Sequence, residues 1–485
     1  MAGGVGGMVR GVEQGGVPGF DRGATRQEPA DGTGAPVARR RALAGGMLAL
    51  ASAWTLAGCA TQAPETLHAG PPRPEDDLAR LRDGTADPIV AGERLDGPLL
   101  RRFYARRGFE PVWRSRPAQA NALAQAVLRA DQHGLDPDLF QGNLLWRRAE
   151  LPPLRRELLL SHAVLSYAEA LAHGAVTGDR RLDGEALVPD RVDVAAVLDA
   201  ILDRPNPVRA LESLAPATPD YIALREALAR ARAEGSRPPT GRAARGAPRL
   251  ADRLPTIEAN LERQRWLPRQ LPPDRVSVNV TDQRLVVFRD DRPVFSTRVV
   301  VGDTEGRKQS PEFQTLIEAG LLNPPWVIPR DIVEADILPR IARDPGFLER
   351  AKIVLLPNGE AEQAPGPLSG LGQIMFDMPN RFDVYLHDTP NKASFELENR
   401  RLSNGCIRVE KPLELAALLM KRPLDAVQET VAAGGTIREP LPVAVPVFVL
   451  YQTAFAAPDG SLQFRQDFYD RDARIARELQ RRTRS

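Results

Sequence analysis

Two kinds of hydrophobic periodicity divide the chain into a helical part and a β part. From about residue 76 to 235, apolar residues recur at i, i+3, i+4 and i+7, the spacing of one face of an α-helix. Residues 275–303 are instead rich in Val and Phe, and turn residues interrupt their alternation, which predicts consecutive antiparallel strands. We therefore expect an α+β chain: a helical N-terminal domain at 76–235, then a mainly β domain at 272–456.

Shorter segments complete the predicted organisation. A Pro/Gly/Arg-rich linker is expected at 236–254, a connecting helix at 255–271 and a C-terminal extension at 457–485. Within the β domain the pattern predicts only two helices, inside 330–351 and 411–421, and an irregular insertion at about 329–370 that can act as a lid. Because the β part has its own hydrophobic pattern, we expect a chain beginning near Leu254 to fold on its own.

The first 75 residues have the layout of an export signal. Three arginines at 39–41 precede 16 mostly apolar residues at 42–57, fewer than the roughly 20 that cross a bilayer as a helix. Leu-Ala-Gly-Cys at 56–59 resembles a bacterial lipobox, which predicts a signal peptide at 1–58, a lipidated Cys59 and a linker at 59–75. The alternative is a chance match in an Ala-rich stretch. The resemblance implies anchoring to the outer membrane on its periplasmic face, after Sec or twin-arginine export.

Composition narrows the candidate functions. The formal net charge is only +2, which gives no indication of a nucleic-acid partner. Five histidines show no metal-binding spacing, so neither a metal nor another cofactor is expected. Two cysteines cannot form a disulfide framework, and lipidation of Cys59 would leave Cys406 as the one free thiol. Such a cysteine is either a small buried hydrophobe or a reactive nucleophile.

The surroundings of Cys406 are compatible with a reactive thiol. His387 ends one predicted strand and Cys406 begins another 19 positions later, so a sheet can bring them face to face. A neighbouring histidine generates the thiolate that a free thiol lacks at neutral pH. Gly405 lets the backbone approach a substrate carbonyl, and the N–H groups at 405–406 can hold an oxyanion. On this spacing alone, a buried structural cysteine is an equal alternative.

Three motifs add a family resemblance. The segments DVYLHDTP (383–390), SNGCIRV (403–409) and NPPWVIP (323–329) resemble the L,D-transpeptidase catalytic domain, the YkuD fold, and within it the large Gram-negative YcbB-like branch. The helical part is similar to the scaffold domain of that branch. Two features depart from the pattern: Asn404 replaces a frequent histidine, so the base would be His387 alone, and no peptidoglycan-binding repeat separates the two domains.

The resemblance implies roles for individual residues. Cys406 would be the nucleophile and His387 its general base. Tyr385 would line the acyl pocket and oxyanion site, with plain packing as the alternative. Arg408 would hold a substrate carboxylate or form a surface ion pair, and Trp326 would line the cleft or belong to the core. Ser403 and Gly405 would shape the loop, and Asn404 would only adjust its geometry.

The implied activity is that of a peptidoglycan L,D-transpeptidase. It would join stem peptides by 3→3 crosslinks through a cysteine thioester, with release of D-Ala, and carbapenems would acylate it. Water as the acceptor would make it an L,D-carboxypeptidase, and another amine would give protein anchoring. A decayed site would leave a lipid-anchored, peptidoglycan-binding scaffold. Other cell-wall synthases are candidate partners.

Overall fold

The computed structural model describes residues 76–236 and 249–481. The predicted signal peptide 1–58, Cys59, the linker 59–75 and most of the predicted linker 236–254 lie outside these residues. Within the described ranges, none of the helices is both long enough and apolar enough to cross a membrane.

The helical part packs around its longest helix, α5. This helix reaches 21 residues because neither glycine nor an internal proline interrupts it before Gly174, whose φ of +89° ends it. The elements of this part are α1 (Asp76–Asp83), β1 (Ile89–Val90), β2 (Glu93–Arg94), α2 (Gly97–Ala105), α3 (Pro117–Leu128), α4 (Gly142–Trp146), α5 (Pro153–His173), α6 (Val194–Ile201), α7 (Pro207–Glu212), α8 (Pro219–Gly235) and α9 (Leu254–Arg265).

The β part is a nine-stranded sheet that closes on itself. Its order is β12-β5-β13-β11-β10-β6-β14-β3-β4, and β4 also pairs with β5. The strands are β3 (Arg275–Asn279), β4 (Arg284–Arg289), β5 (Arg292–Gly302), β6 (Phe313–Leu322), β10 (Ile374–Asp377), β11 (Leu386–His387), β12 (Arg401–Ser403), β13 (Ile407–Val409) and β14 (Ile437–Leu450). Most neighbours are antiparallel, but β11 runs parallel to β13, β14 to β3 and β12 to β5.

The insertion forms a small unit of its own. Strands β7 (Trp326–Ile328), β9 (Ala361–Gln363) and β8 (Ile353–Leu355) make a separate antiparallel sheet with its own apolar cluster. The remaining elements are α10 (Arg330–Ile332), a π-helical turn (Val333–Ile337), α11 (Leu338–Arg343), α12 (Phe347–Ala351), α13 (Pro412–Met420), α14 (Leu424–Ala432), β15 (Ala454–Ala456), β16 (Leu462–Phe464) and α15 (Arg471–Gln480).

The structure confirms the α+β class and the antiparallel succession β3–β4–β5. The prediction of only two helices in the β domain is wrong, because α14 follows α13 directly and buries Val427 and Val431 on one face. The connecting helix predicted at 255–271 ends earlier, at Arg265, because Pro268 lacks the N–H that a continuing helix requires.

The two parts share one apolar core, which the sequence pattern does not predict. The cluster that fills the helical part also contains Phe448 and Leu450 of β14 and Ile475 and Leu479 of α15. Helix α9 lies between these elements, and eight of its twelve residues are buried. The separate folding unit expected from Leu254 onward would therefore expose apolar surface that the helical part covers.

We expect removal of residues 1–253 to destabilise the β part severely. The truncated protein uncovers Trp266 and Leu261, both almost fully buried in the whole chain, and each large apolar group exposed costs roughly 1.5–3 kcal/mol. Its melting temperature should lie roughly 10 °C or more below that of the whole chain, or it should aggregate. Thermal unfolding of both proteins followed by circular dichroism is the measurement; equal melting temperatures would contradict the shared core.

Candidate active site

Two short parallel strands carry the cysteine and the histidine. In the pairing of β11 with β13, Leu386 lies opposite Ile407 and His387 opposite Arg408. Leu386 and Ile407 point into the apolar core of the sheet. Because side chains alternate along a strand, His387 and Arg408 lie on the other face, and Tyr385 and Cys406 precede them by two positions. The predicted site residues of both motifs are therefore brought to one face of the sheet.

The loop before Cys406 is closed by hydrogen bonds of its own. The Ser403 hydroxyl donates to the Cys406 carbonyl at 2.6 Å and accepts from the Gly405 N–H at 3.2 Å. Gly405 has a φ of +114°, a conformation that residues with a side chain rarely adopt. Asn404 is exposed at the tip of the loop. The Gly405 N–H is thus already engaged, whereas the Cys406 N–H has no partner among the described residues.

His387 is held in one tautomer by the backbone. Its Nδ1 lies 2.5 Å from the carbonyl oxygen of Asp388, and since a carbonyl can only accept, Nδ1 carries the proton. The basic lone pair is consequently on Nε2. Asp388 is itself fixed, because its carboxylate accepts from the Gln373 N–H at 2.9 Å and pairs with Lys392.

Burial sets the protonation states of the pair. Burial first, and then the positive charge of Arg408, lower the pKa of His387 to about 4, while hydrogen bonding to the Asp388 backbone opposes them. Burial raises the pKa of the Cys406 thiol above its ordinary value, against the opposing effects of a backbone hydrogen bond from Tyr385 and the Arg408 charge. At neutral pH the site therefore holds a neutral thiol and a neutral imidazole.

The thiol faces a backbone carbonyl in this structure. Cys406 is half-buried, and its sulfur lies 3.8 Å from the carbonyl oxygen of Asp383. No hydrogen bond joins Cys406 to His387 in the described part of the chain. Catalytic hydrogen bonds are often long or misaligned before substrate binds, so this arrangement is compatible with a thiol that turns toward His387.

Arg408 is an unpaired cation beside both groups. Within the described ranges it forms no ion pair, and its Nε is buried without a hydrogen-bond partner. An Nε atom in this state is unusual, because burying a polar group without a hydrogen bond is costly, although the Arg408 side chain as a whole is only half-buried. Among the described residues Arg408 has no ion-pair partner, and its contact with a substrate carboxylate stays a prediction.

The two aromatic candidates lie in different places. Tyr385 is half-buried and packs partly against the core of the sheet. Trp326 belongs to the insertion, where its ring lies directly against Gly370, since a Cβ there would come within 2.4 Å of it. Leu371 follows, and its backbone lies close enough to His387 to raise the pKa of the imidazole slightly against the effect of burial. The end of the insertion therefore adjoins the site, and Trp326 is connected to it through Gly370.

Two contributors are not identified by the sequence analysis. Asp388 lies inside the DVYLHDTP motif, so its position next to the histidine could have indicated a role in fixing the ring. Ser310, whose hydroxyl donates to the Gly405 carbonyl at 2.8 Å, lies almost a hundred positions from Cys406. The pairing of β5 with both β12 and β13 brings its segment to the loop.

The fold and the site together define a class of protein. Its members have a helical domain that is followed in the sequence by a closed β-sheet domain, in which a cysteine and a histidine lie at the ends of adjoining strands. Comparison with known proteins assigns a domain family to each of the two parts. Residues 98–228 match the family model of the Scaffold domain, and residues 273–443 match that of the L,D-transpeptidase catalytic domain, YkuD. The chain thus carries a YkuD-family L,D-transpeptidase catalytic domain preceded by a scaffold domain. These matches do not distinguish the YcbB-like branch, which stays a prediction.

Individual relatives are less complete matches. A Haemophilus influenzae protein named "Putative L,D-transpeptidase" is 31% identical over 223 residues, which are 41% of this chain and 45% of that protein. The chain thus spans less than half the length of this curated relative. A solved structure, the Ldtfm-avibactam carbamoyl enzyme, aligns with 37% of this chain and 49% of its own, at 13% identity and a TM-score of 0.21. Similarity at that level has no bearing on fold or function.

We expect the Cys406 thiol to stay protonated at neutral pH. Its pKa is raised, and His387 stays neutral down to about pH 4, so no imidazolium is present to stabilise a thiolate. The rate of alkylation by iodoacetamide should therefore rise about tenfold per pH unit between about pH 7 and 9. A rate that has already reached its plateau near pH 6 would contradict this protonation state.

Arg408→Gln tests the cause of these shifts. Because the Arg408 charge lowers the pKa values of both Cys406 and His387, its removal should move the alkylation profile to higher pH. The NMR titration of His387 should likewise move above pH 4. Arg438→Gln, which removes an arginine paired with Asp377 on the surface, is the control and should change neither titration.

Proposed function

We propose that the protein is a peptidoglycan L,D-transpeptidase that forms 3→3 crosslinks between stem peptides. The observation that carries the proposal is the placement of His387 at the end of β11 and of Cys406 immediately before β13, the strand that pairs in parallel with β11. Both lie in the region that matches the L,D-transpeptidase catalytic domain. The unpaired Arg408 beside them supports a substrate that carries a carboxylate, as a stem peptide does.

In the first half of the reaction, Cys406 attacks the carbonyl that precedes the terminal D-Ala of a tetrapeptide stem. The thiol turns from the Asp383 carbonyl toward His387, and Nε2 takes its proton as the C–S bond forms. The Cys406 N–H, which has no hydrogen-bond partner among residues 76–236 and 249–481, is the donor available to the oxyanion. The C–N bond to D-Ala then breaks, the imidazolium gives its proton to the leaving amine, and a thioester remains.

In the second half, the side-chain amine of another stem peptide attacks the thioester. His387 accepts the amine proton as the new C–N bond forms, and it returns that proton to the departing Cys406 sulfur. The nucleophile is regenerated, and one peptide bond has replaced another. We propose that the insertion, which adjoins the site through Gly370 and Leu371, covers the donor stem during this exchange and limits hydrolysis.

Incubation with muropeptides distinguishes the candidate activities. Release of D-Ala together with a crosslinked dimer supports the transpeptidase. D-Ala release with a shortened monomer alone supports an L,D-carboxypeptidase, and D-Ala release that attaches the stem to a supplied protein amine supports protein anchoring. Binding of the muropeptide without release supports a scaffold with an inactive site and overturns the proposal.

We expect substitutions at the pair to abolish turnover. Cys406→Ser should reduce D-Ala release by roughly a thousandfold or more, because an alcohol is far less ionised than a thiol. His387→Ala should reduce it comparably, and the two losses should not add, because the residues act as one unit. Asn404→Ala, at the exposed loop tip, is the matched control within the motif and should lose less than about tenfold.

Mass spectrometry with a carbapenem provides an independent measurement of the same assignment. The wild type should gain the mass of one carbapenem molecule, and Cys406→Ala should gain none. A modified Cys406→Ala protein, or crosslinking by it at the wild-type rate, would show that Cys406 is not the nucleophile.

We further propose that the protein is a lipoprotein anchored through Cys59 at the periplasmic face of the outer membrane. The Leu-Ala-Gly-Cys motif after a basic and then an apolar segment supports this. Cys59→Ser should leave an uncleaved precursor or a protein that fractionates away from membranes. Detection of an unmodified Cys59 in the wild-type protein by mass spectrometry would contradict the anchor.

A further inference from the structure

The peptide unit that joins Gly405 to Cys406 is held from outside the motif. The Ser310 hydroxyl, which is fully buried, donates to the Gly405 carbonyl at 2.8 Å. The Gly405 carbonyl and the Cys406 N–H belong to the same planar, trans peptide and point in opposite directions. A hydrogen bond that fixes the carbonyl therefore also fixes the direction of the Cys406 N–H, the donor available to an oxyanion.

Ser310 is in turn fixed by a tyrosine from the C-terminal segment. The Ser310 hydroxyl accepts from the Gly302 N–H at 2.9 Å, and the Ser310 N–H donates to the Tyr469 hydroxyl at 3.2 Å. The same tyrosine hydroxyl donates to the Gly302 carbonyl at 2.6 Å. A Cβ on Gly302 would lie within 2.5 Å of the Ser310 nitrogen, so the two backbones touch. The tyrosine hydroxyl bridges the backbones at the place where Ser310 reaches the loop.

Tyr469 has little freedom to move. Its ring stacks on Tyr451 at 5.1 Å, and its N–H donates to the Tyr451 hydroxyl at 2.7 Å. Two residues later, Arg471 donates to the Ser310 carbonyl at 3.0 Å and pairs with the Glu312 carboxylate at 3.0 Å. Two buried side chains from the C-terminal segment, those of Tyr469 and Arg471, thus hold the segment around Ser310 in place.

The scaffold domain holds the same segment from the other side. The Glu312 N–H donates to the Gly184 carbonyl at 2.6 Å, and the Ala186 N–H donates to the Glu312 carbonyl at 2.8 Å. These bonds add a piece of the scaffold to the catalytic sheet as a parallel bridge. Residues from the scaffold domain and from the C-terminal segment therefore converge on the segment from Ser310 to Glu312. Within that segment, the Ser310 hydroxyl contacts the nucleophile loop.

We propose that Ser310 and Tyr469 are positioning residues that orient the Cys406 N–H for oxyanion stabilisation. This inference rests on the proposed acyl transfer at Cys406. Neither residue contacts the sulfur or the imidazole, so both act through the Gly405–Cys406 peptide. The alternative is that the same hydrogen bonds only stabilise the fold, with no effect on the reaction.

Two reactions of the same thiol separate these roles. Acylation by a carbapenem passes through an oxyanion, whereas alkylation by iodoacetamide displaces iodide and forms none. In Ser310→Ala the acylation rate should fall about tenfold or more, and in Tyr469→Phe about threefold to tenfold, because a misaimed donor loses part of the stabilisation. Alkylation should stay within about twofold of the wild type in both variants. The kcat for D-Ala release should fall in parallel, with KM unchanged.

The scaffold domain offers a matched control pair. There the Tyr104 and Ser161 hydroxyls lie 2.7 Å apart, both residues are fully buried, and both belong to the scaffold-domain match at 98–228. Tyr104→Phe and Ser161→Ala should lower the melting temperature by about as much as the test variants, a few degrees. They should leave the ratio of acylation to alkylation at the wild-type value. The Tyr469→Phe, Ser310→Ala double variant should lose no more than Ser310→Ala alone.

The outcomes remain distinct from those that test the proposed function. A wild type that alkylates but neither acylates nor releases D-Ala overturns the acyl transfer itself and this inference with it. An active wild type with an unchanged acylation-to-alkylation ratio in both test variants overturns only the positioning role. If Ser310→Ala does not fold, the same ratio in Tyr469→Phe, which keeps the stacked ring, decides the question.

Discussion

A buried group of charged side chains joins the helical and β parts of the molecule. Arg263 of α9, Glu312 before β6, and Arg471 and Asp472 of α15 are each 6% exposed or less. Arg471 pairs with Glu312 at 3.0 Å and Arg263 with Asp472 at 2.5 Å. Burial raises the pKa of the Glu312 carboxyl, and the two guanidinium groups oppose that rise. Removing one partner from a buried pair costs about 3–5 kcal/mol, so these elements must stay together.

This constraint explains why the active-site loop can be so sparsely built. Within the loop, the Ser403 hydroxyl hydrogen-bonds to the Cys406 carbonyl. Gly405 adopts a conformation that few other residues adopt. Its direction is fixed by hydrogen bonds from a segment that the ion pairs immobilise. Rigidity is thus supplied by the interface between the two parts, and the loop retains an exposed tip at Asn404 where substrate can approach.

The sequence predicts many of the local elements and the motif residues of the site, but it does not predict the contacts between residues far apart in the chain. Periodicity identifies the helical part and the first three strands of the sheet because it reports local amphipathicity. The motif residues His387 and Cys406 can be selected from their flanking strands, and the parallel pairing of β11 with β13 then brings them to one face. The shared core and the polar contacts of Ser310 and Tyr469 join residues more than 150 positions apart, and no local pattern encodes such distances.

Because the chain is synthesised from its N-terminus, the position of Tyr469 and Arg471 after Cys406 has a consequence for folding. Strand β14 must pair with β3 and β6 to complete the sheet, and α15 lies after it near the end of the chain. During synthesis the cysteine and histidine emerge long before the residues that align them. A nascent or prematurely terminated chain therefore contains Cys406 and His387 but lacks Tyr469 and Arg471, which hold the segment around Ser310 in place. Alignment of the nucleophile loop through Ser310 is thus a late product of folding, because it requires a residue, Tyr469, that follows Cys406 by more than 60 positions.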